Sequence, residues 1–200
     1  MKKILRLTLL MMIAAGFTLT PPAGAAYGEK WALPSPITEG GMPLMAALAQ
    51  RQSARNFSDK AISEQTLSDL LWATWGVNRA DGRHTAPTAN NKQQIIVFAA
   101  LDSGVWFYEP SDNTLVKVLP DDTRALCGGA PLTLIYAAPA DGEFSGVHVG
   151  SLYQNAGLYC ASAGLVNVVK GTGRDALDGK LTLPEGYKVF MVQSIGWPSE

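Results

Sequence analysis

The apolar positions of this 200-residue chain fall into two kinds of run, some at helical spacing and some continuous. Leu44 to Gln50 (LMAALAQ) predicts a short first helix. Ser63 to Trp75 predicts a second, with Leu67, Leu70, Leu71 and Thr74/Trp75 at helical spacing and Trp72 flanking the seam. Ser63 suits the N-cap, Glu64 favours the first turn, and Gly76 is a stop. Gly146 to Ala163 predicts a long, nearly uncharged third helix that carries Leu152, Tyr153, Ala156, Leu158, Tyr159 and Cys160. A helix with apolar residues on most faces is buried in a core or an interface. Gly164 ends it. Asp121 to Leu126 predicts a helical turn, and Asp175 to Leu181 a small helix.

The continuous runs predict strands. Ile95 to Leu101 and Pro131 to Ala138 are continuous apolar stretches of strand length, the second broken only by Thr133. Val105 to Tyr108 and Leu115 to Leu119 flank a turn at Glu109 to Asn113 and predict a hairpin. Lys188 to Ser194 predicts a last strand before Gly196-Trp197-Pro198. Residues 26–43 hold Pro34, Pro36, Pro43, Gly40 and Gly41, the pattern of an extended lead-in without an element of its own. Asn78 to Gln94 is long, polar and rich in turn formers, as functional loops are. Helices and strands mix without regular alternation and no repeat is evident. The predicted class is α+β, with helices packed on an open sheet. The domain is expected over residues 44–200.

The N-terminus changes the charge arithmetic. Lys2, Lys3 and Arg6 precede an apolar run from Leu7 to Leu19, and Ala23-Gly24-Ala25 is a small-x-small cleavage site. This is the pattern of a secretory signal peptide over residues 1–25, and it predicts export to the periplasm or the medium. The run is short for a membrane span. Cleavage would remove three cations and no anion from a chain at −1, leaving a mildly acidic domain at −4. Such a balance does not suggest nucleic-acid binding, which wants a basic face.

Several chemistries lack their residues. There is no G-x-S-x-G, P-loop or H-E-x-x-H, and two histidines, His84 and His148, are few for a zinc hydrolase. Cys127 and Cys160 both lie in apolar surroundings and read as core thiols; a disulfide between them is the alternative. Arg51-Gln52-Ser53-Ala54-Arg55 offers two guanidiniums and a hydroxyl within five residues, an arrangement that grips phosphate bidentately. From spacing alone it is equally a solvated basic turn. In Pro87-Thr88-Ala89-Asn90-Asn91-Lys92-Gln93 the amides of Asn91 and Gln93 can donate and accept, which suits the edge of a heterocycle; ordinary loop chemistry is the alternative.

In order, these features resemble the FMN-dependent nitroreductase family: R-x-S-x-R-x-F at Arg51 to Phe57, the L-x-x-L-L-W helix, and P-T-x-x-N-x-Q from Pro87. Gly104-Val105-Trp106-Phe107-Tyr108-Glu109-Pro110 with Leu115 is similar to the hairpin of the branch that includes the thiazole/oxazole-forming dehydrogenases. Gly150 to Leu165 resembles the family's core helix, and Gly196-Trp197-Pro198 its closing motif. The resemblance spans about residues 44–198. It implies an α+β homodimer with a mostly antiparallel central sheet, holding FMN at the subunit interface. Arg51 and Ser53, with Gln52 between them, would hold the phosphate. Arg55 would lie near the pyrimidine side, where a cation stabilises reduced flavin. Pro87, Thr88 and Ala89 would arrive from the partner subunit, with Asn91 close by. Lys170-Gly171 would present backbone to the flavin N5 side. Gln154 would lie on the interface helix, as a core amide or a cofactor contact. NAD(P)H is the candidate electron donor for a small organic acceptor. Two departures stand out. The helix opens His148-Val149-Gly150 instead of Asp-x-Gly, and no basic residues follow Pro198, so Arg124 and Arg174 are candidates by charge for that role. With the leader, these departures keep a second expectation open: an exported, non-catalytic dimer of the same fold.

Overall fold

The computed structural model describes residues 28–199, so the leader expected over residues 1–25 lies outside the described residues. In chain order the strands are β1 (Lys30–Ala32), β2 (Ile96–Leu101), β3 (Gly104–Glu109), β4 (Thr114–Leu119), β5 (Leu132–Pro139), β6 (Val166–Lys170) and β7 (Tyr187–Gly196). The helices are α1 (Leu44–Gln50), α2 (Glu64–Trp75), α3 (Ser145–Ala163) and α4 (Arg174–Asp178). The strands form one sheet in the order β1-β4-β3-β2-β5-β7-β6, and every adjacent pair is antiparallel.

The two continuous apolar runs, β2 and β5, are central because both of their faces are covered. Along β5, Leu132, Leu134, Tyr136 and Ala138 enter one core, while Ile135 and Ala137 enter the other. The first core is closed by Leu67, Leu70, Leu71 and Trp75 of α2 and by Val149, Leu152, Ala156 and Cys160 of α3. The second is closed by Leu177 of α4, with Cys127 and Leu181. The cysteines thus lie on opposite faces of the sheet, which forbids the disulfide alternative. Both are free and buried, and burial raises both thiol pKa values.

Local signals explain most boundaries. Ser63 caps α2, its Oγ accepting from the Thr66 N–H at 3.2 Å. Gly76 does stop that helix, but not through the left-handed turn that commonly selects glycine. Its φ is −68°, and its need for glycine is steric, since a Cβ there would lie 2.3 Å from Trp72 Cδ1. Gly76→Ala is therefore expected to cost about 1–3 kcal/mol, the usual range for overpacking. Thermal unfolding tests this, and an unchanged midpoint would refute it.

Two strands depart from the pattern. The lead-in 26–43 does contain an element, β1, which pairs Trp31 with Leu115 on the β4 edge. Trp31 meets Trp106 edge-on at 5.4 Å, so one aromatic contact and a free sheet edge order three residues that lack any period of their own. β6 carries too few alternations to stand out, and it forms because β7 offers it an edge. The small helix is shorter than its predicted span and ends at Asp178, though Leu181 still enters the core. The turn expected at Asp121–Leu126 is a 3-10 turn at Arg124–Cys127.

The long helix is buried on one side only in the single chain. Leu152, Ala156 and Cys160 face the core, while Gln154 is exposed and Val147 is 66% exposed. α1 packs beside α3 and exposes Leu44, Leu48 and Met45, the last at 75%.

Candidate functional site

The Arg51–Arg55 segment leaves α1 in extended form because it finds a strand to follow. Ser53 bridges to Asn167 of β6 in parallel, and the Ala54 N–H donates to the Asn167 carbonyl at 2.9 Å. Further on, Phe57 bridges to Pro198 and the Ser58 N–H donates to the Trp197 carbonyl. The segment is therefore a strap across the ends of β6 and β7.

Arg51 is half-buried, and its stem crosses α3 at Gly157, where a Cβ would stand 3.6 Å from Arg51 Cδ. Gln52, Ser53 and Arg55 are exposed. Lys170 ends β6, its Nζ 2.9 Å from where a Cβ on Gly128 would be. Burial lowers the Lys170 pKa; the neighbouring Cys127 acts against this, and the charge of Arg55 adds to it. Gly171 is exposed and leads into α4, whose Arg174 packs against it. Among the described residues, Arg51, Arg55 and Lys170 enter no ion pair. A cavity of about 190 Å³ opens between Arg51-Gln52 and the Gly164–Asn167 turn. Arg55 and Lys170 repel one another, and an anion would relieve that repulsion.

Asn167 supports this strap from below, which sequence reasoning missed. Its Oδ1 accepts from Gln193 Nε2 at 2.9 Å, and Gln193 Oε1 accepts from the Tyr136 hydroxyl at 2.6 Å. All three residues are buried. The available signal was polar side chains inside strand-forming runs.

The second group is the loop from Asn78 to Gln94. His84 stacks on Trp75 at 3.9 Å, and its Nδ1–H donates to the Trp75 carbonyl. Asn90, Asn91 and Gln93 all adopt the left-handed region, with φ of 52°, 53° and 48°. Asparagine tolerates that region and glutamine does so at some cost. Internal bonds hold the shape. Gln93 N–H donates to Thr88 Oγ1, and Gln93 Nε2 donates to Asn91 Oδ1 and to the Gly82 carbonyl. Gln93 is thus a brace within the loop. Pro87 and Asn91 remain exposed, and Thr88 and Ala89 are half-buried. Arg79, Arg83, His84, Pro87, Thr88 and Asn91 line a cavity of about 380 Å³.

One chain does not join the two groups. Ala89 touches α3 at His148, whereas Arg51 crosses it at Gly157. Nine residues of helix put these points roughly 13 Å apart along its axis. Gln154 lies between them on the exposed side.

Residues 48–197 match the model of the nitroreductase family. The chain belongs to that family. It is 34% identical to a protein of Ralstonia eutropha JMP134 named a putative nitroreductase, whose crystal structure superposes with a TM-score of 0.81 over 90% of this chain and 94% of that one. A curated putative nitroreductase of Methanocaldococcus jannaschii is 27% identical over 154 residues, 64% of this chain and 78% of that one. A nitroreductase with bound FMN from Bacteroides fragilis shares the fold at 15% identity, with a TM-score of 0.56 over 78% of this chain and 88% of that one. The family supports an oxidoreductase.

The two arginines named as substitutes for terminal basic residues fare differently. Arg124 is committed elsewhere: it holds Asp122 bidentately at 2.9 and 2.7 Å and donates to the Pro131 carbonyl. It lines a separate cavity of about 500 Å³ with Trp31 and Asp59. Arg174 stands beside Gly171, next to the cation group, with Asp175 3.3 Å away. Among the described residues no helix is long and apolar enough to cross a membrane.

Proposed function

We propose that this protein is an FMN-dependent oxidoreductase of the nitroreductase family acting on a small organic acceptor, and that it works as a homodimer. The observation that carries the reading is the strap that carries Arg51, Ser53 and Arg55, with Lys170 near enough to feel the Arg55 charge and, among the described residues, none of the three cations in an ion pair. That donor set fits a phosphate ester attached to a flat heterocycle. Arg51 and Ser53, with Gln52 in the strap, would hold the phosphate. Arg55 would place positive charge at the pyrimidine edge, and Lys170-Gly171 would offer backbone to the opposite edge. Bound FMN would supply the redox chemistry, taking a hydride from a donor such as NAD(P)H and passing it to the acceptor. Everything asked of the protein is orientation, charge and exclusion of water.

The homodimer explains why one chain leaves the groups apart. A second copy laid on the exposed face of α1 and α3 would cover Leu44, Met45, Leu48 and Val147. It would also bring Pro87-Thr88-Ala89 and Asn91 of one protomer toward the strap of the other, with Gln154 in the interface. The Gly104–Pro110 hairpin with Leu115 supports the branch that includes the thiazole/oxazole-forming dehydrogenases. The leader supports export, which N-terminal sequencing of the mature protein would establish by a start at Ala26.

Purified protein is expected to elute as a dimer and to bind FMN with the absorbance bands of oxidised flavin. It should then turn over a quinone or nitroaromatic with NAD(P)H or a chemical reductant. Protein that takes up no FMN on titration would overturn the reading, and a loaded dimer that reduces no acceptor would point to the non-catalytic alternative.

A further inference from the structure

His148 ties the strained loop to the long helix. The Ala89 N–H donates to His148 Nε2 at 2.8 Å. A ring nitrogen that accepts a hydrogen bond carries no proton, so the imidazole here is neutral with its proton on Nδ1. The imidazolium has N–H groups on both nitrogens. Its Nε2–H would face the Ala89 N–H, donor against donor, and the bond could not exist. His84 behaves differently. Its Nδ1–H donates to the Trp75 carbonyl, a bond that survives protonation.

The surroundings keep His148 in its accepting form near neutral pH. The residue is 7% exposed. Phe144 lies 6.2 Å from the ring, centroid to centroid. The charged group acting on it is Lys92, from the loop packed on this end of α3. Burial first and Lys92 second lower its pKa from the ordinary 6.5, and among the described residues no carboxylate opposes them. The bond is therefore intact above the ordinary imidazole value and is lost as pH falls below it. Ala89 opens the Ala89–Asn91 turn that leads into the left-handed residues. Bonds inside the loop fix its shape, while the His148 bond fixes the turn to α3.

We propose that His148 is a positioning residue whose neutral imidazole anchors the Pro87-Thr88-Ala89 segment, so that its protonation frees the segment and weakens flavin binding. The inference rests on the FMN reading, with the segment reaching the flavin of the partner subunit. It also gives a physical role to the histidine at the helix opening, where the family pattern has aspartate: both side chains accept an N–H, but the histidine stops doing so in acid.

The test compares the intact dimer with His148→Gln, whose Oε1 accepts without titrating, and with His148→Leu, which cannot accept. Flavin-free protein is titrated from pH 8 to 4 while NMR follows the His148 ring and the Ala89 amide. FMN affinity is measured over the same range by flavin fluorescence. The Ala89 amide should shift and lose exchange protection with the titration of His148. FMN affinity in the wild type should fall about tenfold more than in His148→Gln, the scale of one hydrogen bond. His148→Leu should bind weakly at every pH. An Ala89 amide that ignores the His148 titration overturns the proposal, as does a His148→Gln variant with the wild-type acid loss. If no FMN binds at any pH, the FMN reading fails, and the Ala89 amide of flavin-free protein alone decides whether His148 anchors the loop.

Discussion

Replacing Gln193 with leucine is expected to destabilise the protein by about 2–4 kcal/mol and to loosen the strap that carries Arg51. Gln193 is wholly buried in β7 and satisfies two other buried groups, the Tyr136 hydroxyl and the Asn167 amide oxygen. Burial holds the Tyr136 phenol well above its usual pKa, so it stays protonated and must donate. A leucine fits the space and leaves both partners unpaired, at about 1–3 kcal/mol for each. Tyr136→Phe combined with Gln193→Leu should recover part of the loss, because removing both partners costs less than orphaning one. The strap should respond as well, since the main-chain carbonyl of Asn167 accepts from the Ala54 N–H. Urea unfolding reads the first effect and FMN affinity the second. A Gln193→Leu protein within about 0.5 kcal/mol of wild type would refute the stability effect, and unchanged FMN affinity would show that the network does not hold the strap.

The same network marks where the sequence stops being informative. Helix α2 was legible because its cap, its stripe and its stop agree within one segment. The central strands β2 and β5 were legible because burial on both faces demands continuous apolar side chains. β1 and β6 were not, because their order comes from the edges of β4 and β7 and not from their own residues. The Gly76 stop was visible, but its cause, contact with the ring of Trp72, was not. At the site, spacing singled out Arg51, Ser53 and Arg55 because the whole cluster fits in five residues. It could not reveal that β6 brings Lys170 near Arg55, nor that Gln193 and Asn167 brace the strap across long separations. Local chemistry singled out Asn91 and Gln93 in the loop and the resemblance added Pro87, Thr88 and Ala89, yet their distance from the strap depends on the length of α3. Charge alone ranked Arg124 with Arg174, while the fold gives the first to Asp122 and places the second beside Gly171.

Arg51→Ala is expected to weaken FMN binding by about 10–100-fold, the largest single effect on the cofactor. A guanidinium and a phosphate make charge-assisted bonds worth about 1.5–3 kcal/mol, and a fork geometry can make two. Arg51 suits that role better than Arg55 because its stem is laid down across α3 at Gly157, which limits the arc its head can sweep. Arg51→Lys keeps the charge and loses the fork, so it should fall between wild type and alanine. Arg51→Met keeps much of the stem and separates lost packing from lost charge. Arg124→Ala is the control, since that guanidinium is spent on Asp122 in a different cavity and its loss should leave FMN affinity unchanged. The strap is exposed at Ser53 and Arg55, so wild-type affinity should also fall as salt rises, and it should fall less steeply in Arg51→Ala. Fluorescence titrations at two salt concentrations test both expectations. Equal affinity in Arg51→Ala and wild type would remove Arg51 from the phosphate, and a matching loss in Arg124→Ala would move the anion site away from the strap.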